Sequence, residues 1–333
     1  MQPLPQLSLV IPIFNEEETI PELDRRLREL LPRLGVTWEV VFVNDGSKDR
    51  SFEMLKELGA HEPGYKVLSF ARNFGHQIAI SAGLDVAEGN AVVVMDADLQ
   101  DPPEVVEEML AKFNEGFDVV YGVRTKRHGE TVFKRVTAAV YYRILRRLLG
   151  FEVPLDAGDF RLMSRKVVIA LRSLRERHRF VRGMVAWVGY KQTKVYYERP
   201  ARFAGETKYP LSKMLKFAID GITSFSVVPV RLATYLSIVA GLVAVGVGLW
   251  SVTRTWVGSP VVPGWTTIMV LIALSSSAQL LVMGILGEYV GRTYEEVKKR
   301  PLYTVAERIN LPEGPLVSDA GTLPPESTLS RPY

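Results

Sequence analysis

The sequence predicts an α/β domain with a mostly parallel sheet, followed by an interfacial helix and two transmembrane helices. Three observations lead to this fold class. Short apolar runs alternate with helix-like stretches early in the chain, a later segment has apolar residues at helical spacing, and two late stretches carry no charge. The predicted boundaries are 1–210 for the α/β domain, 211–229 for the interfacial helix, 230–290 for the membrane helices, and 291–333 for a juxtamembrane segment with a disordered tail.

Five apolar runs, rich in β-branched residues, are predicted as strands. Helix-like stretches with one apolar face, such as 17–34 and 103–114, separate them. This alternation is typical of a parallel sheet covered on both faces. Ligands of such sheets bind at the carboxyl ends of the strands, so the polar residues just past these runs are the candidate site. The five runs are LSLVIPI, EVVFVND, YKVLSF, AVVVMDAD and DVVYG.

Two late stretches without charge are predicted to span a membrane. No charged residue lies between Arg231 and Arg254, and a second uncharged stretch covers residues 255–287. Each can form a helix of about 20 residues, the length that crosses a bilayer. The alternative is a pair of buried core helices, whose apolar runs are usually about 10–14 residues long. Basic residues concentrate outside the two stretches, which predicts a multi-pass protein of the inner (plasma) membrane with both ends and the α/β domain in the cytoplasm.

The segment before these stretches is predicted to be an amphipathic helix. Its apolar residues between positions 211 and 228 follow helical spacing, and Lys213 and Lys216 fall between them. Such a helix can lie in a membrane interface. The alternative is an ordinary surface helix packed on the α/β domain.

Composition excludes some classes of site. The chain of 333 residues has no cysteine, so disulfides and zinc–thiolate sites are excluded. The net charge of +4 is compatible with phosphate-bearing ligands but does not select one class of partner.

Polar clusters follow three of the predicted strands, at residues 12–17, 44–47 and 96–101. The carboxyl ends of parallel strands meet at one edge of a sheet, so we expect the clusters to lie together. Asp45 could accept hydrogen bonds from a base or a ribose. Asp96 and Asp98 could hold Mg²⁺ or Mn²⁺, which prefer oxygen ligands and keep phosphate oxygens and waters as further partners.

These clusters resemble the inverting family 2 glycosyltransferases with the GT-A fold, over about residues 7–300. More closely, the chain is similar to polyprenyl-phosphate glycosyltransferases, such as dolichyl-phosphate mannose synthases and bacterial undecaprenyl-phosphate glucosyltransferases. No Gln-x-x-Arg-Trp motif occurs, which argues against a processive polysaccharide synthase. The strings that carry the resemblance are VIPIFNEE, VFVNDGSKDRS, ARNFGHQIAISAGL, MDADLQDPPE, GVRTKR, DAGDFRLMSR, RFVRGMVAWVGY and RFAGETKYPLSKMLKFAIDGITSFS.

The resemblance implies a binding site for the nucleotide-sugar donor. Pro12, Asn15 and Glu17 resemble the part that holds the base and ribose, and Asp45 resembles the acidic residue that contacts the nucleoside. Asp96 and Asp98 resemble the metal pair, with Gln100 as a further neighbour of the ion.

The resemblance also implies basic residues that meet phosphates. Arg124 and Arg135 match this part of the family pattern, and Arg202 and Lys208 resemble the pair near the acceptor and donor phosphates. Catalysis is expected to depend on four residues: Asp98, Asp156, Arg202 and Lys208.

A lipid phosphate needs little help from a base, because it is already anionic and can attack the anomeric carbon directly, with inversion. Asp156 and Asp159 could orient the acceptor, hold a sugar hydroxyl or act as a base, or they could only cap a turn. His76 could be a general base or a structural residue. The RERHRF cluster at 175–180 could be a solvated face or could meet phosphates.

The expected function is therefore transfer of a hexose, glucose from UDP-glucose, to polyprenyl (undecaprenyl) phosphate at the cytoplasmic membrane face. Mannose, galactose and aminoarabinose stay open as alternatives, as does a non-catalytic membrane scaffold. A nucleotidyl- or sugar-phosphate-transferring enzyme is disfavoured, because neither GxxxxGK[ST] nor GxGxxG occurs. The expected partners are a UDP-sugar, the lipid phosphate, the membrane and further copies of the chain, but no nucleic acid.

Overall fold

A central β-sheet organises the N-terminal part of the protein. The computed structural model describes residues 5–125, 157–198, 228–257 and 264–312. Within these residues the sheet has eight strands, and its strand order is β7-β5-β6-β4-β1-β2-β3-β8. The strands are β1 (Leu7–Ile13), β2 (Trp38–Asn44), β3 (Tyr65–Phe70), β4 (Ala91–Val94), β5 (Val119–Arg124), β6 (Ala157–Ser164), β7 (Gln192–Tyr197) and β8 (Val305–Ile309).

Helices follow most of these strands. A 3₁₀ turn, Leu31–Leu34, extends the first of them. The α-helices in the described residues are α1 (Ile20–Leu30), α2 (Ser51–His61), α3 (His76–Val86), α4 (Val105–Asn114), α5 (Arg165–Ser173), α6 (Val181–Trp187), α7 (Val228–Trp256) and α8 (Trp265–Val297).

The sheet is mostly parallel, as predicted. Strand β1 pairs in parallel with both β2 and β4, and β2 pairs in parallel with β3. The carboxyl ends of β4, β1, β2 and β3 therefore share one edge, which confirms that the three polar clusters meet there. Strand β6 is the exception inside the sheet, since it pairs antiparallel with β4 and β5.

Burial explains why the strands read as continuous apolar runs. All seven residues of β1 are buried, because the sheet is covered on both faces. Helix α1 shows the matching pattern, as its buried residues recur at helical spacing and form one apolar stripe. That stripe joins the main core together with β1, β2 and β4 and consists of Ile20, Leu23, Leu27 and Leu30.

The end of the chain adds an edge strand that the sequence analysis does not predict. Strand β8 pairs antiparallel with β3. Residues 299–312 thus belong to the same compact unit as the N-terminal domain. The short VAERI run has a weak alternating pattern, and only its pairing with β3 makes it a strand.

Helices α7 and α8 pack against one another and belong to a second compact unit. Among the helices in the described part of the chain, none is both long enough and apolar enough to cross a membrane. The prediction of two transmembrane helices is therefore wrong, and so is the multi-pass location in the inner membrane that depends on it. An uncharged run is not necessarily an apolar one: α8 carries Ser275, Ser276, Ser277 and Gln279 near its middle, and polar groups are costly in hydrocarbon.

Two further predictions fall outside the described residues. Most of the predicted interfacial helix, 211–227, and the predicted disordered tail from 313 onward belong to this group.

Candidate active site

The loops after β1 and β2 are joined by hydrogen bonds. The backbone N–H of Asn15 donates to Ser47 Oγ at 3.0 Å, and the N–H of Lys48 donates back to Asn15 Oδ1 at 2.8 Å. The N–H of Arg50 donates to Glu17 Oε2 at 3.0 Å. Asn15 has a φ of 55°, a left-handed conformation that asparagine tolerates better than most residues. Asn15 and Glu17 thus hold two loops of the site together.

Pro12 has a different position from these two. It lies inside β1, is buried, and is paired in register with Val43 of β2. Pro12 is therefore part of the sheet and lies two residues before Phe14, whose ring is exposed.

Asp45 fastens the loop that leads into α3. Its two carboxylate oxygens accept hydrogen bonds from the backbone N–H of Phe74 at 2.6 Å, the N–H of Gly75 at 2.9 Å and the side-chain amide of Asn73 at 2.9 Å. The residue is buried, and this burial raises the pKa of the carboxyl although the two backbone amides act in the opposite direction. Asp45 therefore shapes the site through the 71–75 loop.

A cavity of about 610 Å³ lies at this edge of the sheet, and we call it the sheet-edge cavity. Gly46 is on its wall with a φ of 66°, and a Cβ there would come within 2.5 Å of the Arg72 backbone. Only glycine fits at such a close approach. The lining residues are Phe14, Asn44, Gly46, Ser47, Lys48, Asp49, Phe52, Glu53, Ser69, Phe70, Ala71, Arg72, Asn73 and Glu307.

Asp96 and Asp98 lie just beyond β4, next to β1. Asp96 Oδ1 is buried and has no hydrogen-bond partner among the described residues, and burial raises the pKa of this carboxyl to about 6. Asp98 Oδ1 accepts the backbone N–H of Gln100 at 3.1 Å, across Leu99 at a φ of 58°. The turn thus presents two carboxylates, one of them with an oxygen that no donor satisfies.

This pair alone is fewer than a full set of metal ligands. No group of three or more histidine, aspartate or glutamate side chains in the described ranges could hold a metal ion. Mg²⁺ is commonly held by one or two carboxylates plus substrate phosphates, so the pair fits a metal that binds together with a nucleotide.

Asp159 is the centre of a buried charge network. It accepts two hydrogen bonds of 3.0 Å from Arg182, and Arg161 lies 3.4 Å away. Gln77 Nε2 also approaches it, at 3.4 Å. Asp159 lies within β6 and not in a turn, so the turn-capping alternative does not describe it. Burial would raise the pKa of Asp159, but Arg182 and His76 hold it well below its usual range.

His76 links this network to the carboxylate pair. Its Nε2 lies 3.4 Å from both Asp96 Oδ1 and Asp159 Oδ2. Burial alone would lower the pKa of the imidazole, but Asp159 and Asp96 raise it to about 9. The two neighbouring carboxylates favour the protonated imidazole, which supports an electrostatic role for His76 over the general-base alternative.

Arg124 ends β5 beside a second acid. Its Nη2 lies 3.6 Å from Asp101 Oδ1, and the hydroxyl of Tyr197 donates to the same oxygen. Arg124 Nε also lies 3.4 Å from the Tyr197 hydroxyl. This predicted phosphate-binding residue is thus placed near the carboxyl edge with a protein carboxylate as neighbour.

The basic residues of the RERHRF cluster contact the protein itself. Arg175 forms a two-point ion pair with Asp85 at 3.0 and 3.1 Å. Arg177 donates to the backbone carbonyl of Arg300, and Arg179 donates to a carbonyl of α5. Neither a solvated face nor a phosphate-binding patch describes these contacts.

Four predicted site residues lie outside the described ranges: Arg135, Asp156, Arg202 and Lys208. In the other direction, the sequence analysis missed the roles of Phe14, Arg72 and Arg182. Phe14 directly follows a predicted strand and Arg72 lies two positions past the next-but-one, which is the signal that could have singled them out. Arg182 follows no strand, and only the folded chain brings it to Asp159.

Comparison with known proteins places the chain in a family. The model of the family described as glycosyl transferase family 2 matches residues 8–172. The uncharacterized glycosyltransferase YkcC of Bacillus subtilis is 50% identical over 94% of this chain and 97% of its own length. A prophage bactoprenol glucosyl transferase homolog of Escherichia coli is 41% identical over 90% of this chain and 98% of its own length. An SfII prophage-derived bactoprenol glucosyl transferase of Shigella flexneri is 40% identical over 90% and 97%.

These relatives cover almost the whole chain, and the parallel sheet with carboxylates beyond β4 agrees with the GT-A fold. The protein is a glycosyltransferase and belongs to family 2 of these enzymes.

Proposed function

We propose that the chain transfers glucose from UDP-glucose to polyprenyl (undecaprenyl) phosphate, with inversion at the anomeric carbon. The observation that carries this proposal is the sheet-edge cavity beyond β1, β2 and β3, which shares its edge of the sheet with the carboxylate pair Asp96 and Asp98 beyond β4. In this proposal the nucleoside of the donor occupies the cavity and its metal-bound diphosphate lies at the carboxylate pair. One donor molecule therefore needs both places on the same edge of the sheet. The bactoprenol glucosyl transferase names of the Escherichia coli and Shigella relatives support the sugar and the lipid acceptor.

The cavity has the chemistry for a nucleoside diphosphate. The ring of Phe14 is 44% exposed and can stack on a base, since every base has a π-face. Lys48 and Arg72 line the same cavity and can meet the negative charge of the donor. The Asn15–Ser47 contact and the Asp45 contacts keep the walls in place.

Asp96 and Asp98 would hold Mg²⁺ or Mn²⁺, with Gln100 as a neighbour. The observation that supports this placement is Asp96 Oδ1, which is buried without a hydrogen-bond partner and has only the longer 3.4 Å contact with His76, so it has capacity left for a cation. When bound, the ion would stabilise the negative charge that grows on the leaving diphosphate.

The protein supplies little acid–base chemistry in this scheme. The acceptor phosphate is already anionic, the neighbouring carboxylates raise the pKa of His76, and the Asp159 carboxylate is held by Arg182. His76 instead lies between the carboxylates of Asp96 and Asp159 and reduces the repulsion between their negative charges. A single in-line attack by the acceptor would invert the anomeric centre.

Five residues complete the proposal. Arg124 and Arg135 would bind donor phosphate, Arg202 and Lys208 would bind the acceptor phosphate, and Asp156 would orient the acceptor. Only Arg124 lies in the described part of the chain, and its place at the end of β5 is compatible with this role.

The decisive experiment offers the purified protein a panel of nucleotide sugars with one polyprenyl phosphate. UDP-glucose should give a glucosylated lipid phosphate, identified by mass, with the anomeric configuration opposite to that of the donor by NMR. The matched control is the same polyprenol without its phosphate, which should accept no sugar. A lipid product formed only with a mannose, galactose or aminoarabinose donor would replace glucose. No lipid product with any donor would refute the proposal.

A further inference from the structure

The last strand of the described chain, β8, lies at the edge of the sheet next to β3 and contributes Glu307 to the lining of the sheet-edge cavity. We call residues 303–310 the C-terminal segment. Besides the β8–β3 pairing, the backbone N–H of Ala71 donates to the Thr304 carbonyl at 3.0 Å. The side-chain amide of Asn310 donates to the carbonyls of Gly59 and Tyr65 at 2.7 and 2.8 Å. The segment is thus fastened at both ends to the unit that carries the site.

Tyr303 continues this contact into an aromatic stack. Its side chain is buried, and its ring stacks on Phe70 at 4.9 Å, while Phe70 meets Phe74 edge-on at 5.5 Å. The Tyr303 hydroxyl donates to Asp85 Oδ2 at 3.2 Å. Phe74 is the residue whose backbone N–H is bonded to Asp45. The 71–75 loop is therefore held from two sides, by Asp45 and by the stack.

Glu307 brings a carboxylate to the cavity itself. It lines the sheet-edge cavity and pairs in register with Ser69 at the end of β3. Its Oε2 lies 3.3 Å from Lys56, a residue that does not line the cavity. Side chains of this exposed pair can exchange one partner for another at small cost, because exposed ion pairs contribute little to stability.

We propose that the C-terminal segment is the outer wall of the donor site, where Tyr303 positions the 71–75 loop and Glu307 accepts hydrogen bonds from the nucleoside. The inference rests on the proposed function. The strand order gives the reason for assigning the nucleoside to this side. Strand β8 lies four strands from β4, about 19 Å at the usual strand spacing, so this wall lies on the side away from the diphosphate end of the donor.

If this wall exists, replacing Tyr303 should weaken donor binding and leave the rate of the transfer step nearly unchanged. Replacing Tyr303 by Leu removes the stack and frees the 71–75 loop to adopt other conformations, so the donor must order it on binding. The KM for the nucleotide sugar should then rise about fivefold while kcat stays within about twofold, the size expected for one aromatic contact. Tyr303→Phe keeps the ring and loses only the hydroxyl, so its KM should stay close to that of the wild type.

The test measures UDP binding by calorimetry without acceptor, together with KM and kcat for the donor. Glu307→Gln should weaken UDP binding about three- to tenfold, the loss expected when a charged acceptor is replaced. Lys56→Met, which breaks the same ion pair from outside the cavity, should leave UDP binding unchanged and serves as the matched control.

The outcomes separate this inference from the proposed function. If wild type binds UDP and Glu307→Gln binds it equally well, the wall is refuted and the proposed function stands. A fall in kcat with unchanged KM in Tyr303→Leu would also refute the wall. If Tyr303→Leu does not fold, the result for Glu307→Gln decides alone. A wild-type protein that binds no nucleoside diphosphate would refute the proposed function itself.

Discussion

Asp159 in β6 and Arg182 in α6 form a two-point ion pair, with Nε–Oδ1 and Nη2–Oδ2 distances of 3.0 Å each. The side chain of Asp159 is 5% exposed and that of Arg182 is 32% exposed. Arg182 therefore neutralises a carboxylate that the protein has removed from water. The same carboxylate lies 3.4 Å from His76, which in turn lies 3.4 Å from Asp96 beyond β4.

Removing this arginine should destabilise the protein. Arg182→Ala leaves Asp159 with partners no closer than 3.4 Å, so we expect the free energy of unfolding to fall by about 2–3 kcal/mol, reduced by the partial exposure of Arg182. Urea denaturation followed by circular dichroism measures this change. The control is Lys166→Ala, which removes the exposed partner of the half-buried Asp118 and should cost less, about 1 kcal/mol. Equal losses in the two variants would contradict the role of the Asp159–Arg182 pair.

Asp45 should control donor binding through the loop it holds. Asp45→Asn keeps the size of the side chain but presents an NH₂ group to the N–H donors of Phe74 and Gly75. Two donors then face each other, so the 71–75 loop should move and UDP binding should weaken about tenfold or more. Calorimetry of UDP binding measures the effect. Asp118→Asn, before β5 and away from the carboxyl ends, should bind UDP like wild type, and a normal affinity in Asp45→Asn would disprove this assignment.

Activity should depend on a divalent ion at the carboxylate pair. Asp98→Asn removes one anionic ligand and should lower kcat at least about a hundredfold, the upper range for the loss of groups around a metal. Glycosyl transfer assayed with excess chelator, and then with added Mg²⁺ or Mn²⁺, provides the direct measurement. Glu104→Gln, an exposed acid after the same turn, is the control and should be fully active. Full activity in chelator would overturn the metal assignment.

Arg202 and Lys208 are expected to bind the acceptor phosphate. Arg can bind two phosphate oxygens at once, whereas Lys acts as a point charge, so neither can replace the other fully. Arg202→Ala or Lys208→Ala should abolish transfer while UDP binding stays normal. Transfer to polyprenyl phosphate and calorimetry of UDP binding test the two halves of this expectation. A variant that turns over near the wild-type rate at saturating acceptor would show that the residue only attracts anionic groups.

Local pattern was enough to predict the β1–β5 strands and the edge at which their polar ends meet. The apolar runs that predict β1 and β3 have the same bounds as the observed strands, because a strand buried on both faces needs apolar residues at nearly every position. Asp45, Asp96 and Asp98 stand out for the same reason, since each lies within a few positions of the end of such a run. The same kind of local reading failed for the late uncharged stretches, since no helix in the described part of the chain is both long enough and apolar enough to cross a membrane.

Only the tertiary structure decided which distant side chains meet. Gln77 and Asp159 are 82 positions apart, and Tyr303 and Asp85 are 218 positions apart. No periodicity links such residues, because the free energy that joins them comes from packing and charge pairing in the folded state. The sequence by itself therefore determined the first five strands, their alternation with helices, and the carboxylates at the strand ends. The fold decided that Asp159 is an ion-paired centre, that His76 lies between two carboxylates, and that the last strand of the described chain pairs with β3.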